Sequence, residues 1–224
     1  MIKVFHEDQL VDIKRFNFSG GEVQVRLENL PDVLGDFTIQ ANIRSSDDIM
    51  AVLLLRDAIN CISTHSRVHL ICPYFPYARQ DRSVYKGEAF GARVMAGLLN
   101  SANSETITVW DIHSDVSLDM LNNTVNRPAS DFVVPHLNKN EFIVAPDHGA
   151  KERAMRCSDL SGNSFLQMSK KRDPNTGYLS LFSLDSLVDD FEEDYGAMIV
   201  DDICDGRRTF IGGGNILNQH IHGP

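Results

Sequence analysis

Short runs of apolar and β-branched residues alternate along this chain with longer stretches of helical periodicity, and that alternation restricts the fold more than any other feature. Val68–Cys72, Thr106–Trp110, Phe142–Ala145 and Ala197–Val200 read as strands, and Val23–Leu27 alternates as a half-buried strand does. Between them, Asp47–Ile62 carries apolar residues at 49, 50, 53, 54 and 58 after Ser46, a residue type that favours the helix N-cap. Phe90–Leu99, Gly149–Cys157 and Thr209–Gln219 are the other helix candidates. Strands alternating with helices imply βαβ units and a mainly parallel sheet. Pro128 and Pro135 lie in a loop-like stretch, Ala129–Asn140, which suits a domain boundary. The expectation is an α/β protein of two small doubly wound parallel-sheet domains, residues 1–133 and 134–224.

Composition narrows the function. The chain has 224 residues, long enough to hold a core without disulfides or metals. Lys and Arg number 21 against 31 Asp and Glu, a net charge of −10. An acidic surface argues against nucleic acid or an anionic membrane as partner. It leaves phosphate ligands open, since local amides, Arg or Mg²⁺ bind them whatever the global charge. Cys61, Cys72, Cys157 and Cys204 include no Cys-x-x-Cys pair and read as reduced thiols of a cytoplasmic protein. The longest apolar run, Ile49–Leu55, is far too short to span a bilayer. Lys3, His6, Glu7 and Asp8 leave no apolar stretch like a signal peptide.

The strand candidates end in polar residues, and open α/β sheets bind ligands beyond the carboxyl ends of their strands. Val200 leads into Asp201-Asp202-Ile203-Cys204-Asp205-Gly206-Arg207-Arg208-Thr209, at a helix start. A bare Asp-Asp is more often a solvated pair. After a buried strand, the whole run suits a sugar phosphate, with acids for hydroxyls and Arg207, Arg208, Thr209 and loop amides for the phosphate. Cys72 leads into Pro73–Arg82, where two prolines and three aromatics stiffen a loop bearing Arg79, Gln80 and Arg82. Arginine pairs with phosphates bidentately, so this loop suits a nucleotide as well as it suits a salt-bridged surface turn. His113, past Trp110, is a candidate ligand for a Mg²⁺-bound phosphate, and Asp147, past Ala145, is a better ligand for a hard metal. Lys170-Lys171-Arg172, before Asp-Pro-Asn-Thr-Gly, reads as a surface loop or as a cationic flap over a phosphoryl transfer.

Taken in order, Phe18–Glu22, Tyr77–Arg82, Asp111–His113, Pro146–Gly149, Lys170–Arg172 and Val200–Asp205 resemble the motifs of the ribose-phosphate pyrophosphokinases, or PRPP synthetases, over nearly the whole chain. The resemblance implies phosphoribosyltransferase-like domains, the second incomplete, since the family continues for another strand–helix–strand set. It implies Mg²⁺-dependent transfer of pyrophosphate from ATP to ribose 5-phosphate, giving 5-phosphoribosyl 1-diphosphate and AMP. Carried over residue by residue, Phe18, Gly20 and Glu22 would meet the adenine from a neighbouring subunit of a homo-oligomer. Arg79, Gln80 and His113 would bind ATP, and His113 with Asp147 would hold the Mg-ATP unit. Lys170 and Arg172 would close over the transferred group. Asp201 and Asp202 would take ribose hydroxyls, and Asp205, Gly206, Arg207, Arg208 and Thr209 the 5-phosphate.

This sequence departs from the family in places. Gly20 replaces an Asp, Arg207 and Arg208 replace small residues, and Ala150 stands where Gly is frequent. Two alternatives go with the resemblance: a non-catalytic homologue that pairs with a full-length enzyme, and a type I phosphoribosyltransferase. The Phe18–Glu22 and Arg79–Gln80 segments argue against the latter.

Overall fold

The computed structural model describes residues 1–30, 35–172, 179–185, 195–205 and 207–221, with the backbone alone at 170–172, 179–182 and 220–221. The chain divides into two compact units, Met1–Arg127 and Pro128–Pro224. The division precedes the expected 133/134 boundary because Ala129, Val133 and Val134 pack against a core of the second unit.

The first unit runs β1 (Ile2–His6), β2 (Gln9–Asn17), β3 (Val23–Glu28), β4 (Phe37–Ala41), α1 (Ser46–Ile62), β5 (Val68–Ile71), α2 (Gly91–Ser101), β6 (Thr106–Trp110), α3 (Asp115–Asp119) and β7 (Thr124–Arg127). Its sheet has the order β3-β2-β1-β4-β5-β6-β7. From β4 to β7 the strands are parallel, each joined to the next through a helix, as the alternation predicts. The flank β3-β2-β1 pairs antiparallel with itself and with β4, which the sequence reading did not anticipate beyond β3. In β4 the inward positions Phe37, Ile39 and Ala41 alternate with residues facing outward, as the period of two requires. These side chains join Leu70, Ile107 and Val109 from the next strands, Val52, Leu55 and Ile59 from α1, and Met95 and Leu99 from α2 in one core. Burying a side chain of the Leu or Ile class in this way contributes about 1.5–3 kcal/mol.

Ser45, rather than the expected Ser46, is the N-cap of α1: its hydroxyl accepts from the Asp48 N–H at 3.3 Å. Asp47 and Asp48 follow in the first turn, where the helix dipole favours negative charge.

The second unit contains α4 (Ser130–Val133), β8 (Glu141–Ala145), α5 (Lys151–Ser161), β9 (Phe165–Arg172), β10 (Leu179–Leu184), β11 (Gly196–Ile199) and α6 (Arg208–Ile221). Its sheet has the order β10-β9-β8-β11, with β9, β8 and β11 parallel and β10 antiparallel to β9. Both faces are covered. Phe142 and Val144 pack with Leu166, Met168 and Leu217 of α6, whereas Ile143 and Ala145 pack with Ala154 and Cys157 of α5. Burial on both faces is why β8 reads as a continuous apolar run. Lys170–Arg172, expected in a loop, has extended backbone paired with Leu179–Phe182. Three consecutive cations hid the strand from a reading based on apolar runs.

Candidate functional site

In each unit, two parallel neighbours bring their carboxyl ends, and the polar segments that follow, to one edge of a sheet. In the first unit these are β5 and β6. The loop after β5 is anchored by buried Cys72, Phe75 and Ala78, and it leaves Arg79 and Gln80 exposed. Tyr77 takes φ +63°, a left-handed conformation that costs a bulky residue about 1–2 kcal/mol. The Tyr77 carbonyl accepts from the Gln80 N–H at 2.8 Å, which closes the turn that presents Arg79. Asp81 holds this loop to the one after β6. Hydrogen bonds from Arg82, first, and from Ser114 keep its carboxyl below the usual carboxylate range. Ser114 is the neighbour of His113, so Arg79, Gln80 and His113 belong to one connected edge. Asp111, at φ +45°, donates its N–H to the Arg127 carbonyl at 2.8 Å and turns the chain toward exposed His113.

Phe18, Gly20 and Glu22 form the exposed turn between β2 and β3. The Phe18 N–H donates to the Glu22 carbonyl at 2.9 Å, and Gly21 supplies the positive φ of +91°. The Phe16 and Phe18 rings meet edge to face at 5.4 Å. A side chain at Gly20 would meet nothing within 4 Å, so the departure from Asp there has no steric cause.

In the second unit the converging strands are β8 and β11. Asp147 follows β8, and its Oδ1 accepts from the Ala150 N–H at 3.1 Å. Ala150, in place of the family's frequent Gly, is fully buried in the core beside α5. Val200, Asp201 and Asp202 follow β11, with both acids largely buried. Beside them lies a residue that the sequence reading did not assign. Arg153 of α5 sets its Nη1 3.4 Å from Asp201 Oδ1 and 3.6 Å from Asp202 Oδ1. An arginine in the first turn of a helix opposes the helix dipole. That conflict is the signal from which a nearby acid could have been inferred.

Burial, and then the hydrogen bond shared with Asp202, push the Asp201 carboxyl up to about 6, and the charges of Asp202 and Asp147 add to the shift. These effects outweigh the opposing hydrogen bond that the Asp202 N–H donates to Asp201 Oδ1 at 3.0 Å. Beyond the acids, exposed Asp205 leads to Arg207 at φ +58° and to the start of α6. Arg207 thus occupies a left-handed position that favours glycine. Its carbonyl accepts from the Ile211 N–H at 2.9 Å, the first bond of α6, and Thr209 sits in the first turn. Gly206 lies outside the described residues. Lys170 and Arg172 are placed by their backbone, at the end of β9.

Among the described residues, no three His, Cys, Asp or Glu side chains form a metal cage. The donors are still of the right kind for Mg²⁺, which is held by one or two carboxylates together with substrate phosphates. The charge of Asp147 is near enough to Asp201 to raise the proton affinity of Asp201.

Fold and strand ends together define a phosphoribosyltransferase-like α/β protein. Residues 3–102 match the profile of the N-terminal domain of ribose phosphate pyrophosphokinase. A putative ribose-phosphate pyrophosphokinase 2 of Listeria monocytogenes is 27% identical over 203 residues, covering 88% of this chain and 63% of that protein. A ribose-phosphate pyrophosphokinase of Halalkalibacterium halodurans is 29% identical over 212 residues, with coverage of 91% and 64%. The fold is similar to that of a phosphoribosylpyrophosphate synthetase from Mycobacterium smegmatis, with a TM-score of 0.72 at 23% identity over 95% of this chain and 70% of that one. The chain is therefore similar to ribose-phosphate pyrophosphokinases, and over residues 3–102 to their N-terminal domain. It spans 63% and 64% of the length of the two curated relatives named here.

Proposed function

We propose that the chain carries out, or forms the substrate-binding part of, Mg²⁺-dependent transfer of pyrophosphate from ATP to ribose 5-phosphate. The observation that carries this reading is the meeting of Asp147, Arg153, Asp201 and Asp202 at the carboxyl ends of β8 and β11, just ahead of the loop into α6. Carboxylates accept hydrogen bonds from sugar hydroxyls, and a loop ending at a helix start accepts a phosphate. Asp201 and Asp202 would hold ribose hydroxyls. Asp205 through Thr209 would hold the 5-phosphate, with Arg207 and Arg208 giving charge where the family relies on amides.

In this reading Arg79, Gln80 and His113 bind ATP. Phe18 and Glu22 reach the adenine across a subunit contact of a cytoplasmic homo-oligomer. The anomeric oxygen of ribose 5-phosphate attacks the β-phosphorus, the bond from that phosphorus to the α,β-bridging oxygen breaks, and AMP leaves with that oxygen. With no covalent intermediate, catalysis is positioning and charge stabilisation. Lys170 and Arg172 would face the charge that develops on the transferred group. Asp147 and His113 would hold Mg²⁺, which supplies neutralisation of phosphate charge when bound.

Assay of AMP from Mg-ATP with and without ribose 5-phosphate tests this directly. Ribose-5-phosphate-dependent AMP that is lost in Lys170→Ala is expected; no such AMP, or an unaffected variant, sinks the catalytic reading. Arg207 in a left-handed position favours a second reading, a homologue that binds nucleotide and pairs with a full-length enzyme. Calorimetric nucleotide binding without turnover, with activity appearing on addition of such a partner, would select it.

A further inference from the structure

The turn Phe18–Glu22 is exposed and carries few contacts of its own, yet the strand leading into it is tied down at two successive points. Arg15 Nη1 donates to Asp48 Oδ1 at 2.6 Å, and Asn17 Nδ2 donates to Asp47 Oδ2 at 3.2 Å. Residues two apart in a strand share a face, so Arg15 and Asn17 point together from β2 toward the start of α1. The acids are adjacent in the first turn of α1, and Asp48 is itself fixed. Its Oδ2 accepts from the Arg44 N–H at 2.9 Å, and its side chain is only 12% exposed. Asn17 reaches on to the Gly21 carbonyl at 3.4 Å, inside the turn. On the opposite face of β2, Phe16 pairs with Phe18. A rigid helix end thus holds one face of the hairpin and leaves the aromatic face open.

We propose that Asp47 and Asp48, through Asn17 and Arg15, are positioning residues that set the pose of the Phe18–Glu22 turn for a nucleotide base. The ligand part rests on the function proposed above; the positioning part rests on the contacts alone. Neither acid touches the ligand. Each acts by restricting the hairpin before binding, so that less freedom is lost when the ligand arrives.

The test combines hydrogen exchange with nucleotide binding in Arg15→Met, Asn17→Ala and the conservative Arg15→Lys. Exchange at Phe18–Glu22 should quicken about tenfold in the first two, with α2 unchanged. ATP affinity should fall about five- to tenfold in them, and Arg15→Lys should recover most of both effects. Unchanged exchange at Phe18–Glu22 overturns the proposal, whether or not ATP binds. Faster exchange with undiminished ATP affinity also overturns it. If the unmodified protein binds no ATP, the function proposed above fails separately, and the exchange result still decides whether the acids set the turn.

Discussion

Arg153 and Asp201 meet at 3.4 Å, Nη1 to Oδ1, although 48 residues separate them in the chain. The same guanidinium nitrogen lies 3.6 Å from Asp202. One cation therefore serves two largely buried acids, and the Asp202 N–H adds a 3.0 Å bond to Asp201 Oδ1. Acids crowded in this way are costly to fold and useful to a ligand that brings hydroxyls or a metal.

That cost should depend on pH. Burial and the bond with Asp202 raise the Asp201 carboxyl from 3.8 to about 6. Between about pH 4 and pH 6 the native state holds a proton that the unfolded chain has lost, so stability falls as pH rises through that window. Asp201→Asn removes the charge. It should stabilise by about 1–2 kcal/mol near pH 8 and by little near pH 4. Urea unfolding at the two pH values measures this, and equal effects at both would refute the account.

Asp48 should behave in the opposite sense. Burial raises its carboxyl, but hydrogen bonds from Arg15, the Arg44 N–H and Ser45 more than offset that and leave it at about 2. Its contribution is fully present above about pH 4 and is lost as pH falls toward about 2. Asp48→Asn should destabilise by about 1–2 kcal/mol near pH 6 and match the unmodified protein near pH 2. A denaturant series across that range checks the convergence of the two curves.

Gln80 rests against the first residue of α2. A Cβ at buried Gly91 would run into the Gln80 side chain, whose backbone carbonyl accepts from the Ala92 N–H at 3.1 Å. Gly91→Ala should therefore displace the carboxamide and weaken the ATP binding proposed above about tenfold. The melting temperature should hardly move, since alanine favours the helix by about 1 kcal/mol over glycine. Titration calorimetry with ATP is the measurement, and an unchanged affinity would remove Gln80 from the site.

Much of this organisation was legible because β5, β6, β8 and β11 are compact apolar runs that stop abruptly at polar residues. Their helices announced themselves by period, and α1 by the serines and acids at its start. The strands β1, β2, β4, β7, β9 and β10 were harder to see. Gln9–Asn17 carries Asp12, Lys14 and Arg15 on a largely exposed strand, and Lys170–Arg172 presents three cations in a row. Candidate ligands lying just beyond strand ends could be named from sequence. Arg153 could not be assigned, because its partners come from β11, which only the sheet pairing brings beside β8. Arg15 and Asp48 escaped for the same reason, each looking like an ordinary solvated charge.

The register between β8 and β11 bears on the order in which this protein assembles. Asn17 pairs with Val23, 6 residues away, whereas Gly196 pairs with Glu141, 55 residues away. Closing the longer loop carries the greater entropic cost, and such distant pairings slow folding. The hairpin that bears Phe18 can form early from neighbours in sequence. Asp201 and Asp202 reach Arg153 only once β11 has docked, so the proposed sugar-phosphate site should be the last feature to form during refolding and the first to fade as the second sheet loosens.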